Sequence, residues 1–128
     1  MLELDGQAYG KPGSAEEATL RIQSMRGRSG ILHTGHHVVL RRDGSETTRT
    51  AVGSTTVHFA DMGDAEVEAY VATGEPLQVA GSFTIDGLGG AFVRAIEGDP
   101  SNVVGISLPL LRDLLTELGI AWPTLWRA

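Results

Sequence analysis

Between Gly74 and Gly105 the sequence reads GEPLQVAGSFTIDGLGGAFVRAIEGDPSNVVG, and seven of the chain's 17 glycines fall within it. Glycine inside a helix or strand costs about 0.5–1 kcal/mol relative to alanine. No long regular element therefore runs through this stretch, and its glycines serve positive φ angles or close backbone approach. A ligand-facing loop is one such use. Tight turns and a bulge in an ordinary sheet are the other, and glycines alone favour the second.

The flanking sequence reads as scaffold. Leu2-Glu3-Leu4, Asp5-Gly6 and Gln7-Ala8-Tyr9 form a strand, a two-residue turn and a returning strand, ended by Gly10-Lys11-Pro12. Ser14 with Glu17 makes a capping box, and Ala18, Ile22 and Met25 give one apolar stripe, predicting a helix over 15–25. Arg26, Gly27 and Arg28 close it.

Residues 31–42 and 47–59 form a long antiparallel hairpin about Asp43-Gly44, with Thr55, Val57 and Phe59 on one face and Thr56, His58 and Ala60 on the other. A second helix spans 64–73, its stripe being Val67, Tyr70 and Val71, with Gly74 at the position after the C-cap. Residues 91–96 have strand character. Ser107 caps a last helix in which Leu111, Leu114, Leu115 and Leu118 share a face, stopped by Gly119. The tail with Trp122 and Trp126 is expected to fold back as a lid over apolar surface.

A length of 128 residues suits one domain with a real core. Ten basic against 16 acidic side chains, net −6, argue against binding nucleic acid polymers or anionic membranes, while leaving room for a local anion site. With no cysteine, disulfides, thiolate catalysis and Cys-bound zinc are excluded. No window approaches the roughly 20 apolar residues of a membrane span and no secretory signal is visible, so the expected location is the cytoplasm.

His33, His36, His37 and His58 invite a metal reading, but His33 and His37 lie on a strand, about 13 Å apart along one face. No carboxylate sits within the cluster, so a polar strand face is the expectation and no metal ligands are assigned. Gly87-Leu88-Gly89-Gly90 follows no βα turn and is not a dinucleotide fingerprint. Asp86, Glu97 and Asp99 lie beside glycines, where a carboxylate more often caps a turn than catalyses.

Taken in order, Gly10-Lys11-Pro12, Gly27-Arg28 leading to Thr34-Gly35, Tyr70-Val71-Ala72-Thr73-Gly74-Glu75-Pro76, Ala80-Gly81-Ser82-Phe83, Gly87-Leu88-Gly89 and Ser101-Asn102-Val103-Val104-Gly105 resemble the Maf family of nucleoside triphosphate pyrophosphatases over almost the whole chain. The resemblance implies an α/β fold of the Maf/ITPase (anticodon-binding-like) type, a mixed twisted sheet with flanking helices. It also implies hydrolysis of a nucleoside triphosphate to the monophosphate and pyrophosphate with Mg²⁺ or Mn²⁺, a link to septum formation, and a housecleaning role against non-standard nucleotides. Lys11 matches the lysine that faces the substrate phosphates. Thr34, Gly35, Gly81, Phe83, Asp86 and Gly87 are carried over as substrate-binding positions.

Two departures stand beside these matches. The family's amino-terminal Ser-x-x-Arg loop and its Ala-Asp-Thr-like segment, which holds the catalytic aspartate, do not occur, so no catalytic residue is assigned. Residues 1–128 are expected to be the C-terminal part of a single Maf-like domain, inactive alone and associating into a homo-oligomer through exposed sheet edges. A non-catalytic nucleotide-binding or regulatory module is the alternative. At Asp86, many members that prefer pyrimidines carry glutamine, which offers one donor and one acceptor. A carboxylate only accepts, and suits the two neighbouring donors of a guanine edge. Ala80-Gly81-Ser82-Phe83 resembles the branch with an acidic residue near here, whereas Ser101-Asn102-Val103-Val104-Gly105 resembles the pyrimidine branch, so the resemblance leaves both subgroups open.

Overall fold

The computed structural model describes residues 1–79 and 81–126. The chain forms β1 (Leu2–Leu4), β2 (Gln7–Tyr9), α1 (Ala15–Met25), β3 (Ser29–Arg42), β4 (Ser45–Phe59), α2 (Asp64–Ala72), β5 (Val93–Glu97), α3 (Pro100–Val104) and α4 (Leu108–Glu117). Short 3-10 turns cover Glu75–Gln78, Leu88–Phe92 and Trp122–Leu125.

The expected α/β architecture is present, with a five-stranded sheet in the order β2-β1-β3-β4-β5. Every strand pair among the described residues is antiparallel, whereas the sequence reading expected a mixed sheet. Hairpins account for two of the pairings. Asp5-Gly6 and Asp43-Gly44 each have positive φ at both central residues, the turn whose twist matches the flanking strands.

Ser14 accepts from the Glu17 N–H, as the capping pattern requires, but the Glu17 carboxylate reaches past Ser14 to the N–H of Gly13 at 2.8 Å. Ala18, Ile22 and Met25 are buried as a stripe and meet Val67, Tyr70 and Val71 of α2. Both helices cover the sheet face that carries Leu2, Leu4, Leu32, Val57 and Phe59. Each such side chain contributes about 1.5–3 kcal/mol when fully buried, so this one-sided layer is what holds the chain compact.

Three expectations shift. The strand read at 91–96 begins at Val93, because Ala91 and Phe92 belong to a 3-10 turn. The five-residue α3, capped by Asp99, lies where no helix was expected. In α4 only Leu114 of the leucine stripe is buried, since the helix lies against β3 and β4 and not across the core. The lid is corrected too: Trp126 is 71% exposed and Trp122 half-buried. Gly119, at φ 84°, reverses the chain, and the Ile120 N–H bonds back to Leu115, keeping the tail beside its own helix.

Candidate functional site

A network of buried polar groups fastens the segment from Asp99 to Ser107 onto the β3–β4 hairpin. Asn102, 1% exposed, donates from its side-chain amide to the Leu32 carbonyl and to Thr55 Oγ1, both at 3.2 Å. The Asn102 backbone carbonyl accepts from the Thr34 hydroxyl at 3.2 Å. Gly53 leaves room for it, as a Cβ there would meet Asn102 Oδ1 at 2.5 Å.

Asp99 gathers the Ser101 N–H at 3.0 Å and the Ser101 and Ser107 hydroxyls, each at 2.6 Å. The hydroxyl bonds of Ser101 and Ser107 hold its carboxyl below the usual carboxylate range. Asp99 therefore caps a turn, as expected of a carboxylate beside glycine. The network sets Val103, Val104 and Gly105 as one wall of a cleft.

The opposite wall is built around Glu75. Its carboxylate accepts from the Tyr70 hydroxyl at 2.7 Å, from the Thr84 hydroxyl, and from the N–H groups of Gly89 and Leu88, each at 3.0 Å. Partial burial raises its pKa, but the bonds from Thr84, Tyr70, Gly89 and Leu88 outweigh that and bring it to about 2. Burial, and then the neighbouring Glu75 charge, push the Tyr70 hydroxyl upward. The Gly87-Leu88-Gly89-Gly90 run thus wraps an internal carboxylate. A Cβ on Gly87 would lie 2.8 Å from Glu75 Oε2, and one on Gly89 would lie 2.8 Å from the Thr84 nitrogen.

Between the walls lies a cleft of about 210 Å³, lined by Thr34, Val79, Gly81, Phe83, Thr84 and Asp86 together with Met1, Leu32 and residues 103–105. Thr34, Gly81, Phe83 and Asp86 of the expected binding residues meet there. Phe83 is fixed edge-on against Phe59, with ring centroids 4.8 Å apart. Gly81 is needed beside it, because a Cβ would lie 2.8 Å from the Phe83 ring. Ser82 between them has φ 59°, a left-handed backbone that non-glycine residues rarely adopt and that surrounding structure must hold. Ala80 lies outside the described residues.

Lys11, Gly35 and Gly87 do not line this cleft. Gly35 is exposed on β3, and Gly87 backs onto Glu75. Lys11 is exposed in the loop after β2, yet that loop is tied toward the cleft. The Gly10 carbonyl accepts from Arg21, whose guanidinium also reaches Ser82 Oγ at 3.4 Å and stacks over Tyr9.

The histidines serve as strand side chains. His33 bonds to Ser54 and Glu3, His37 to Thr50, and His58 faces Glu97 at 3.6 Å. No group of three metal-ligating side chains occurs among the described residues. Asp86 is the one carboxylate lining the cleft among the described residues, so these residues alone do not fit a divalent cation.

Chemically, the cleft offers an apolar slot for a flat ring, flanked by two hydroxyls and an accepting carboxylate. Sequence reasoning missed the roles of Glu75, of Asn102 and of His36, whose buried imidazole accepts the Ser107 N–H through Nε2 at 2.9 Å. Glu75 and Asn102 lay inside the quoted motifs, but polar residues in loops give no sign of the partners they reach across the fold.

The model of the family described as Maf-like protein matches residues 1–118. The chain is 59% identical over 126 residues to a nucleoside triphosphate pyrophosphatase of Salinispora tropica, covering 98% of this chain and 55% of that protein. It is 54% identical over 126 residues to one of Cutibacterium acnes, covering 98% and 59%, and 52% identical over 127 residues to one of Gloeothece citriformis, covering 99% and 64%. The chain thus spans less than two thirds of the length of these relatives. With the family pattern running through both walls of the cleft and through the scaffold that carries them, the chain belongs to the Maf family.

Proposed function

We propose that this chain carries the base-recognition side of a nucleoside triphosphate pyrophosphatase, and that the whole protein hydrolyses a nucleoside triphosphate to the monophosphate and pyrophosphate. The observation that carries this reading is the convergence of Thr34, Gly81, Phe83 and Asp86 on one cleft in a chain of this family. The base lies in the apolar slot. The Asp86 carboxylate accepts from two neighbouring N–H groups, which favours a guanine-type edge.

Lys11, on the loop tied to the cleft through Gly10 and Arg21, neutralises phosphate charge as a flexible ammonium. The divalent cation implied by the family resemblance, Mg²⁺ or Mn²⁺, finds no ligand set among the described residues, and no step is derived through it. As an enzyme of nucleotide metabolism the protein is assigned to the cytoplasm; separately, no helix among the described residues is long and apolar enough to cross a membrane.

The alternative is a nucleotide-binding or regulatory module without catalysis, which the same cleft would serve. One experiment addresses both readings: titration of the purified chain with GTP and UTP, followed by a pyrophosphate-release assay with Mg²⁺ or Mn²⁺. Tighter binding of GTP, weakened by Asp86→Asn, is expected, with no release from residues 1–128 alone. A folded chain that binds neither nucleotide overturns the assignment of the cleft. Release that survives repurification and is lost in Lys11→Ala shows that these residues suffice for catalysis.

A further inference from the structure

Asp86 is exposed and makes no hydrogen bond or ion pair among the described residues. Its approach to the cleft is set by the backbone that carries it, residues 84–89. Both ends of that loop are held by one group, the Glu75 carboxylate, which accepts from the Thr84 hydroxyl at one end and from the Leu88 and Gly89 N–H groups at the other. Tyr70 completes the clasp, donating to Glu75 at 2.7 Å while its oxygen accepts the Thr84 N–H at 3.2 Å. Glu75 does not line the cleft, whereas Thr84 and Asp86 do.

We infer that Glu75 is a positioning residue for base recognition: by clasping both ends of residues 84–89 it fixes where the Asp86 carboxylate meets the ligand. Four donors converge on this carboxylate, and an ionised acceptor suits them all. A glutamine has the same shape but presents an NH₂ group, so donors at one of its two ends lose their acceptor. The loop then loosens, and Asp86 no longer meets two N–H groups at once. The consequence falls on the choice between bases more than on binding in general.

The inference rests on the cleft being the base site, and the test separates the two. Isotope-labelled residues 1–128 are titrated with GTP and with UTP, following amide signals from Gly81 to Asp86, and hydrogen exchange is measured at Leu88 and Gly89. The wild type is expected to bind GTP more tightly. In Glu75→Gln the preference for GTP over UTP should fall about tenfold, the scale of one charge-assisted hydrogen bond. Leu88 and Gly89 should lose protection while the remaining amide signals stay in place.

Thr84→Val removes one arm of the clasp, and is read the same way should Glu75→Gln fail to fold. An unchanged preference in the variant overturns the inference, whether or not protection is lost. Equal weakening toward both nucleotides also overturns it, because that is the signature of a merely structural role. A wild type that binds neither nucleotide defeats the base-site reading itself, and is recognised before any variant is made.

Discussion

The imidazole of His36 accepts the backbone N–H of Ser107 at 2.9 Å through Nε2 while its Nδ1 donates to the Thr34 carbonyl at 2.9 Å. His36 is 8% exposed, and the pair joins residues 71 positions apart, a cleft-lining strand to the cap of α4. One nitrogen accepts and the other donates, which specifies a neutral ring with its proton on Nδ1.

Replacing His36 by phenylalanine keeps the volume and leaves the Ser107 N–H buried without its acceptor. A loss of about 1–3 kcal/mol is expected from such a group. Urea unfolding monitored by circular dichroism measures it, and a change within about 0.5 kcal/mol, the range of ordinary surface substitutions, would refute the role.

Gly89→Ala should be harmful and Gly35→Ala harmless. A Cβ at Gly89 lies 2.8 Å from the Thr84 nitrogen and 2.9 Å from its carbonyl oxygen, which are backbone atoms that cannot swing aside. Nothing lies within 4 Å of one at Gly35. Overpacking of this kind costs about 1–3 kcal/mol. Thermal unfolding of the two variants side by side tests the contrast.

Acid stability should depend on Glu75. Its folded pKa of about 2 lies below the ordinary value of 4.5, so the ionised carboxylate stabilises the fold above the unfolded value. That contribution is lost as pH falls from 4.5 toward about 2. Glu75→Gln should be less stable at neutral pH and should flatten the decline over this window. Asp99, shifted in the same direction, keeps its own share in both proteins. An identical pH slope in wild type and variant would count against the assignment.

Association of the chain is expected through the distal half of the β3–β4 hairpin. Beyond Leu32 on β3 and before Thr56 on β4, the only strand neighbour of each among the described residues is the other. Two-stranded ribbons are marginally stable alone, and open strand edges recruit other strands. Val39 and Val52 are 43% and 62% exposed there. Light scattering during chromatography should give a dimer or larger species, reduced by Val52→Asp. A monomer at all micromolar concentrations would show that the ribbon is stable without a partner.

The local elements were legible because their causes are local. Ser14 and Glu17 frame the start of α1, paired positive-φ residues make the Asp5-Gly6 and Asp43-Gly44 turns, and the alternation of Thr55, Val57 and Phe59 selects one buried face of β4. The order of motifs was enough for the family, since it needs no geometry. Other features hid from sequence because they are fixed by bonds between distant residues. Asn102 meets Leu32 across 70 positions, and the glycines at 87–90 wrap a carboxylate contributed from position 75. The leucine stripe of α4 shows the same limit from the apolar side: periodicity makes the helix amphipathic, but where it docks decides which leucines are covered, and only Leu114 is buried. Sequence by itself determined the long elements, though not α3 or the start of β5, together with the buried faces of β4, α1 and α2, and the family. Tertiary structure decided which polar groups found partners and which four of the expected binding residues share a cleft, because burial and hydrogen bonding depend on what the fold brings within reach.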